Sequence, residues 1–289
     1  MATVLALILS STLWGAASAA PDSVLSFSTS FGSFSSASGL LITPQQWFYI
    51  FDADRNLLYR FRDPREEPLI VGGAGWDATS FDKPTGLASD GLNIFVADYG
   101  NHRISRFDRD LNFISSFSTR DTSFAPARFG YPGGIALSRS GEMVILDTEN
   151  SRVMKFNAQH RFEREFGGIN DLRGKVTQPL KILIDQSDRI LVLEPNRLII
   201  FDPWGNFIQT IEGPLFRDAV GFDTASDQIV VALKQQLLWY DERGAVRAAI
   251  SISNLPELLP AESLRDVKMA GNALYLLTAG RVLKYRWLE

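Results

Sequence analysis

The sequence predicts an all-β chain: a six-bladed β-propeller of four-stranded antiparallel blades, closed by an N-terminal strand that completes the last blade. Three observations predict it. One segment recurs six times, at a spacing of 47 to 49 residues where it is clearest. Each copy carries three or four short runs rich in β-branched and aromatic residues, separated by Gly, Asn, Asp or Ser. That is the pattern of strands joined by turns. A repeat of about 40 to 50 residues with about four strands has the dimensions of one propeller blade.

The clearest copies are residues 81–118, FDKPTGLASDGLNIFVADYGNHRISRFDRDLNFISSFS, and residues 129–168, FGYPGGIALSRSGEMVILDTENSRVMKFNAQHRFEREFGG. Pro132 follows Pro84 by 48 residues, and Asp147 follows Asp98 by 49. Residues 176–213 repeat the pattern again, with Pro179 47 residues after Pro132 and Glu194 in place of the aspartate. A degenerate copy at 39–63 holds Asp52 and Phe61, and two weaker copies follow at 219–246 and 266–287. Copies one to five continue into a fourth run, at 67–73, 112–118, 161–168, 206–213 and 245–253. The sixth copy lacks one. Residues 22–32, DSVLSFSTSFG, are strand-like and belong to no copy. They are expected to pair with 281–287, because an open edge strand leaves a row of unpaired backbone groups. The connection 253–264 is expected to hold a short helix with Leu255, Leu258 and Leu259 on one side.

Composition narrows the function. The formal net charge is -4 and the pI about 5.4, so no basic excess points to nucleic acid, and no nucleic-acid partner is expected. There are no cysteines, which excludes disulfides, thiolate catalysis and cysteine-bound zinc. The two histidines, His102 and His160, are too few for a three-histidine metal site within one chain. Residues 4–16 are mostly apolar and are followed by Ala-Ser-Ala at 17–19. This reads as a signal peptide over 1–19, cleaved near Ala19, with the propeller over 20–289. The mature chain is then expected to be periplasmic or secreted, with no transmembrane segment.

The pattern P-x-G-(L/I)-A … (V/I)-x-D-x-x-N-x-R-(I/V)-x-x-F in these copies resembles the NHL repeat. The resemblance implies a six-bladed β-propeller of an extracytoplasmic bacterial type. It implies little about function, because a fold hosts many activities. Proteins of this kind include lyases using histidine-bound zinc or magnesium, calcium-dependent lactonases, and modules that bind proteins or RNA.

Three groups of residues are candidate sites. Asp98, Asn101, His102 and Arg103 look like a catalytic constellation. Yet Asp147, Asn150 and Arg152 repeat it, as do Glu194, Asn196 and Arg197. A catalytic set is needed once, so the repeated members are expected to hold each blade's turn. In that reading the acid accepts backbone N–H bonds, the asparagine takes a left-handed conformation, and the arginine pairs with the acid. His102 does not repeat, its counterpart being Ser151. The second group is a cationic series in the equivalent turns: Arg55, Arg103, Arg152, Arg197, Lys234 and Arg281. It is either a ring for an anionic partner or, as expected, a set of local ion pairs. The third is Asp218 and Asp266, placed ahead of the first strands of adjacent blades, where two carboxylates could hold a hard cation. Lys181 and Lys268 oppose that. The connections 118–132, 167–179 and 253–264 are the longer loops, with Trp76, Phe81, Phe124 and Tyr131 as candidate aromatic contacts.

Together these observations predict a non-catalytic binding scaffold that presents loops to a protein or glycan partner in the cell envelope and needs no cofactor. Arg103, Arg152, Arg197, Asp218, Asp266 and His102 are its candidate binding residues. The alternative is a Ca²⁺- or Mg²⁺-dependent hydrolase or lyase, lactonase-like, with its site in the central channel.

Overall fold

The computed structural model of the chain describes residues 25–226 and 228–287. The expected signal peptide lies outside them. Among the described residues, twenty-four strands form six separate four-stranded antiparallel sheets. The first blade is β2 (Ala37–Ile42), β3 (Phe48–Asp52), β4 (Leu57–Phe61) and β5 (Leu69–Gly72). The second is β6 (Pro84–Ser89), β7 (Asn93–Asp98), β8 (Arg103–Asp108) and β9 (Phe113–Phe117). The third is β10 (Pro132–Leu137), β11 (Met143–Asp147), β12 (Arg152–Phe156) and β13 (Phe162–Phe166). The fourth is β14 (Lys181–Ile184), β15 (Ile190–Glu194), β16 (Arg197–Phe201) and β17 (Phe207–Glu212). The fifth is β18 (Ala219–Ala225), β19 (Gln228–Leu233), β20 (Gln236–Asp241) and β21 (Val246–Ser251). The sixth is β22 (Leu264–Ala270), β23 (Ala273–Thr278), β24 (Val282–Trp287) and β1 (Leu25–Phe31).

The ring closes as the sequence predicts. β1 pairs antiparallel with β24, from Leu25 opposite Trp287 to Phe31 opposite Val282. Phe31 then packs edge-on against Phe48 and Phe61 of the first blade, so the closing strand also fills the seam between first and last blades. The other seams are built alike. Phe81 is fully buried between Phe51 and Phe107, with ring centroids 5.8 Å from each. It is a packing residue, so the candidate contact role does not fit it. The core lies between blades, which is why each middle strand is buried on both faces and reads as a continuous apolar run.

The Pro-x-Gly motif has a structural cause. The first strand of five blades carries a bulge at this point, as between Pro84 and Gly86 or Pro132 and Gly134. A Cβ on Gly86 would stand 2.9 Å from the Gly134 Cα of the next blade. The glycines let neighbouring inner strands converge on the axis.

The expected helix over 253–264 is absent. A single 3-10 turn, Ile252–Asn254, lies there instead. Leu255 is buried and Leu258 packs against the same seam, but Leu259 is exposed. Pro256 and Pro260 explain the difference, since neither can donate a backbone hydrogen bond within a helix. No helix among the described residues is long and apolar enough to cross a membrane.

Candidate functional site

The repeated constellation is a turn clamp. Asp98 is fully buried at the end of β7. It accepts the Asp82 N–H at 2.8 Å, Asn101 Nδ2 at 2.8 Å and Arg103 Nε at 2.9 Å. Arg103 spends its other nitrogens on the carbonyls of Trp76, Asp77 and Ser80. Burial raises the Asp98 pKa against the pull of these donors. Asp147 accepts Gly130 N–H, Asn150 and Arg152 in the same way. Glu194 accepts the Thr177 and Gln178 N–H groups and Arg197, and its pKa is lowered because these donors outweigh burial. Each clamp ties a blade's central turn to the linker entering that blade, so turns and linkers share one face. The cationic series is therefore mostly a set of local pairs. Arg281 is held at 2.8 Å by Glu262, and Arg55 lies 4.0 Å from Asp52.

The left-handed residue of the turn is not the asparagine. In the second and third blades it is the next residue, His102 (φ 53°) and Ser151 (φ 49°). Asn101 is occupied in bonding Asp98 and the Gly75 carbonyl. His102 reaches the next blade, with Nδ1 3.0 Å from the Gly130 carbonyl. That oxygen can only accept, so Nδ1 carries the proton. The imidazole lies 4.3 Å from the Tyr131 ring, which stacks on Tyr99 at 4.8 Å.

The clamp face surrounds a funnel of about 680 Å³ at the channel mouth, to which all six blades contribute. Its charged lining is Lys83, Lys181, Lys234 and Arg265 against Asp218, with Tyr99 beside them. Trp76 and Phe124 are exposed elsewhere on the linkers. Asp218 is 73% exposed and stands 3.9 Å from Lys234.

Asp218 and Asp266 do not form a pair. Asp218 precedes β18, whereas Asp266 lies inside β22, buried in a cavity of about 50 Å³ below the funnel. The strand registers show why. Gly86, Gly134, Gly221 and Gly39 occupy one equivalent position, directly opposite the penultimate residue of the second strand in four blades. At that position the fourth blade has Lys181 and the sixth has Asp266. The two side chains meet at 2.6 Å. Asp266 passes beneath Gly221, where an added Cβ would stand 2.3 Å from its Oδ1. Two residues further on, in the next inward-facing layer, Asp223 and Lys268 stand 3.7 Å apart where other blades have Leu41, Ala88, Ala136 and Leu183. Asp266 also accepts the Leu40 N–H, and Asp223 the Met269 N–H, so each carboxylate ties its blade to the next. Sequence reading passed over Asp223. Aligning the six first strands position by position exposes all four residues as departures from the repeat.

Burial pushes the Lys181 ammonium below the usual lysine range, opposed by Asp266 and assisted by Lys268. Burial also works against the Lys268 ammonium, but Asp223 and Asp266 outweigh it and raise its pKa. Burial raises the Asp223 pKa. Two carboxylates and two ammonium groups leave the channel without the net negative charge that a hard cation requires. Among the described residues, no three His, Cys, Asp or Glu side chains gather as a metal site.

Residues 81–107, which contain the Asp98 clamp, match the family model of the NHL repeat. The chain is a six-bladed propeller that carries an NHL repeat. Over 133 residues this propeller is 31% identical to the protein brain tumor of Drosophila melanogaster, covering 44% of this chain and 12% of that protein. Over 135 residues it is 28% identical to a probable peptidyl-alpha-hydroxyglycine alpha-amidating lyase of Caenorhabditis elegans, covering 44% of this chain and 38% of that protein. The aligned part thus spans well under half the length of either relative. Among solved structures, a catalytically inactive virginiamycin B lyase from Staphylococcus aureus with quinupristin superposes with a TM-score of 0.61 at 13% identity, covering 87% of this chain and 80% of that one. A nidogen–laminin complex gives 0.60 at 15% identity, covering 75% and 81%. At these identities the likeness is one of fold.

Proposed function

We propose that this propeller is an extracytoplasmic binding module whose funnel receives an anionic part of a protein or glycan partner in the cell envelope. The charge of the funnel carries the reading. The repeat's own arginines are tied into clamps, whereas Lys83 and Arg265 are exposed and form no ion pair among the described residues. Lys234, 57% exposed, has a single distant carboxylate. A cationic mouth on an acidic chain concentrates an anionic partner, and salt weakens the effect. Tyr99 at the rim, with Tyr131 stacked on it, adds an aromatic surface of the kind that packs on a peptide or a sugar.

Pull-down from an envelope extract at low salt tests this. The wild-type chain is expected to retain a partner that elutes with salt and is lost in Lys83→Ala/Lys234→Ala/Arg265→Ala. Equal capture by that variant would remove the funnel from the reading. Recovery of the chain in the cytoplasmic fraction with residues 1–19 intact would remove the extracytoplasmic part.

The sequence similarity to an amidating lyase favours a second reading, a divalent-cation-dependent lyase or hydrolase with its site in the channel. Thermal melts with Ca²⁺, Mg²⁺ or Zn²⁺ against chelator decide it, since a bound ion raises the melting temperature. Unchanged melts for wild type, and unchanged behaviour of Asp218→Ala/Asp266→Ala with each ion, would exclude it.

A further inference from the structure

Four residues inside the channel break the repeat, and they stand together. Lys181 is the one that also reaches the funnel: it lines both the mouth and the small cavity beneath. Its side chain is 19% exposed, and its nitrogen lies 2.6 Å from Asp266 Oδ2. Lys268, from the next layer, is tied to Asp223 and to the Phe222 carbonyl. Burial and the neighbouring Lys268 cation favour a free amine at Lys181, while Asp266 favours the ammonium and is the carboxylate in hydrogen-bond reach to take its proton. The blade repeat does not call for a lysine here, since four blades have glycine at the same position.

We infer that Lys181 is a nucleophilic amine at the floor of the funnel, placed to capture, as an imine, a carbonyl compound that carries a carboxylate or phosphate. Asp266 takes a proton from the Lys181 ammonium. The freed lone pair on Nζ forms the C–N bond while the carbonyl π bond opens onto oxygen, and one of the two protons left on nitrogen passes to that oxygen. Asp266 returns its proton to the carbinolamine hydroxyl, the C–O bond breaks, and water leaves. The product is a protonated imine paired with the Asp266 carboxylate. No oxidant, reductant or metal is consumed. Lys83, Lys234 and Arg265 at the mouth supply the charge that draws in an anionic substituent. Among the described residues, Asp218 is the one acid lining the mouth, and Asp266, Asp223 and Lys268 are the other titrating groups that face the amine.

The inference rests on the funnel being the binding site, and it is tested separately from the partner. The folded chain is incubated near neutral pH with glyoxylate and sodium cyanoborohydride, which reduces an imine to a stable amine. Adducts are then mapped by peptide mass spectrometry over the chain's seven lysines. Accessibility alone would favour Lys234, at 57% exposure, over Lys181 at 19%. The expected result is the reverse: a several-fold excess of adduct at Lys181 over Lys234, because burial and Lys268 favour its free amine. The excess disappears in denaturant, and it falls in Lys268→Met, whose fold is checked by thermal melt. Acetaldehyde, which lacks an anionic group, is expected to label Lys181 more slowly than glyoxylate. Adducts ordered by exposure would overturn the inference, and equal labelling by the two aldehydes would overturn its anionic component. Should Lys268→Met not fold, the ratio of Lys181 to Lys234 in wild type still decides. Loss of partner capture with selective labelling intact would remove the partner reading and leave this one standing.

Discussion

The second, third and fourth blades hold their central turn with a buried carboxylate, and the fifth does so with none. Where Asp98, Asp147 and Glu194 stand, the fifth blade has Leu233 and the sixth has Thr278. The sixth replaces the acid from elsewhere. Glu262, on the linker, accepts Arg281 Nε at 2.9 Å, the Leu259 N–H at 2.9 Å and Thr278 Oγ1 at 3.2 Å. The fifth leaves Lys234 and Asp218 exposed, 3.9 Å apart, at the funnel. The difference shows how a repeat protein divides its residues. Where the pattern is kept, the turn's own acid and arginine are consumed by the fold. Where it lapses, charge is left over for the cavity.

The clamps act blade by blade, whereas ring closure acts on all six, so the largest effect is expected from closure. Deleting residues 25–31 exposes the edge of β24 and the seam filled by Phe31. It should cost on the order of 5 kcal/mol, more than any single clamp. A deletion that melts like wild type would show that the blades are independent. Asp98→Ala comes next, at about 3 kcal/mol in urea unfolding, because it strands Arg103 and the Asp82 N–H without their partner. Glu262→Gln keeps the shape of the sixth-blade clamp and loses its charge, for about 1 kcal/mol.

The same glutamate gives the comparison a pH axis. Arg281 holds the Glu262 carboxyl below the usual glutamate range. The folded state therefore binds this proton less readily than the unfolded chain. The stabilisation is complete above the ordinary carboxylate pKa and is lost as pH falls through the depressed folded value. Glu262→Gln should flatten that part of the acid limb, and an unchanged limb would mean that Arg281 is not its partner in solution. The smallest effect belongs to the unclamped blade. Lys234→Ala should change stability by no more than about 0.5 kcal/mol, while lowering retention of an anionic partner. A large loss of stability there would erase the contrast.

The turn signature was legible because clamp residues recur. Comparing 96–108 with its copies shows that Asp98 and Arg103 serve the fold before any coordinate is seen. The closing strand was legible too, since a blade missing its fourth strand and a strand missing its blade lie at opposite ends of one chain. The turn's left-handed position was misassigned to Asn101. Asparagine tolerates that conformation, but here its amide is needed by Asp98, and His102 takes the strain. The helix expected at 253–264 followed the spacing of three leucines and overlooked two prolines. The channel ion pairs were the largest omission. Lys181 and Asp266 are 85 positions apart, and the sequence pattern places Asp266 ahead of its strand because the bulge in β22 hides its register.

The sequence by itself determined the number of blades, the strands in each and the way the ring closes. Those follow from local periodicity and from a repeat that every copy states again. Only the tertiary structure decided which charges are spent and which are free. Asp98 and Arg103 meet because they are five residues apart, whereas Lys181 and Asp266 meet because six blades bring their inner strands to one axis. Glycines at 39, 86, 134 and 221 keep that axis narrow enough for the contact.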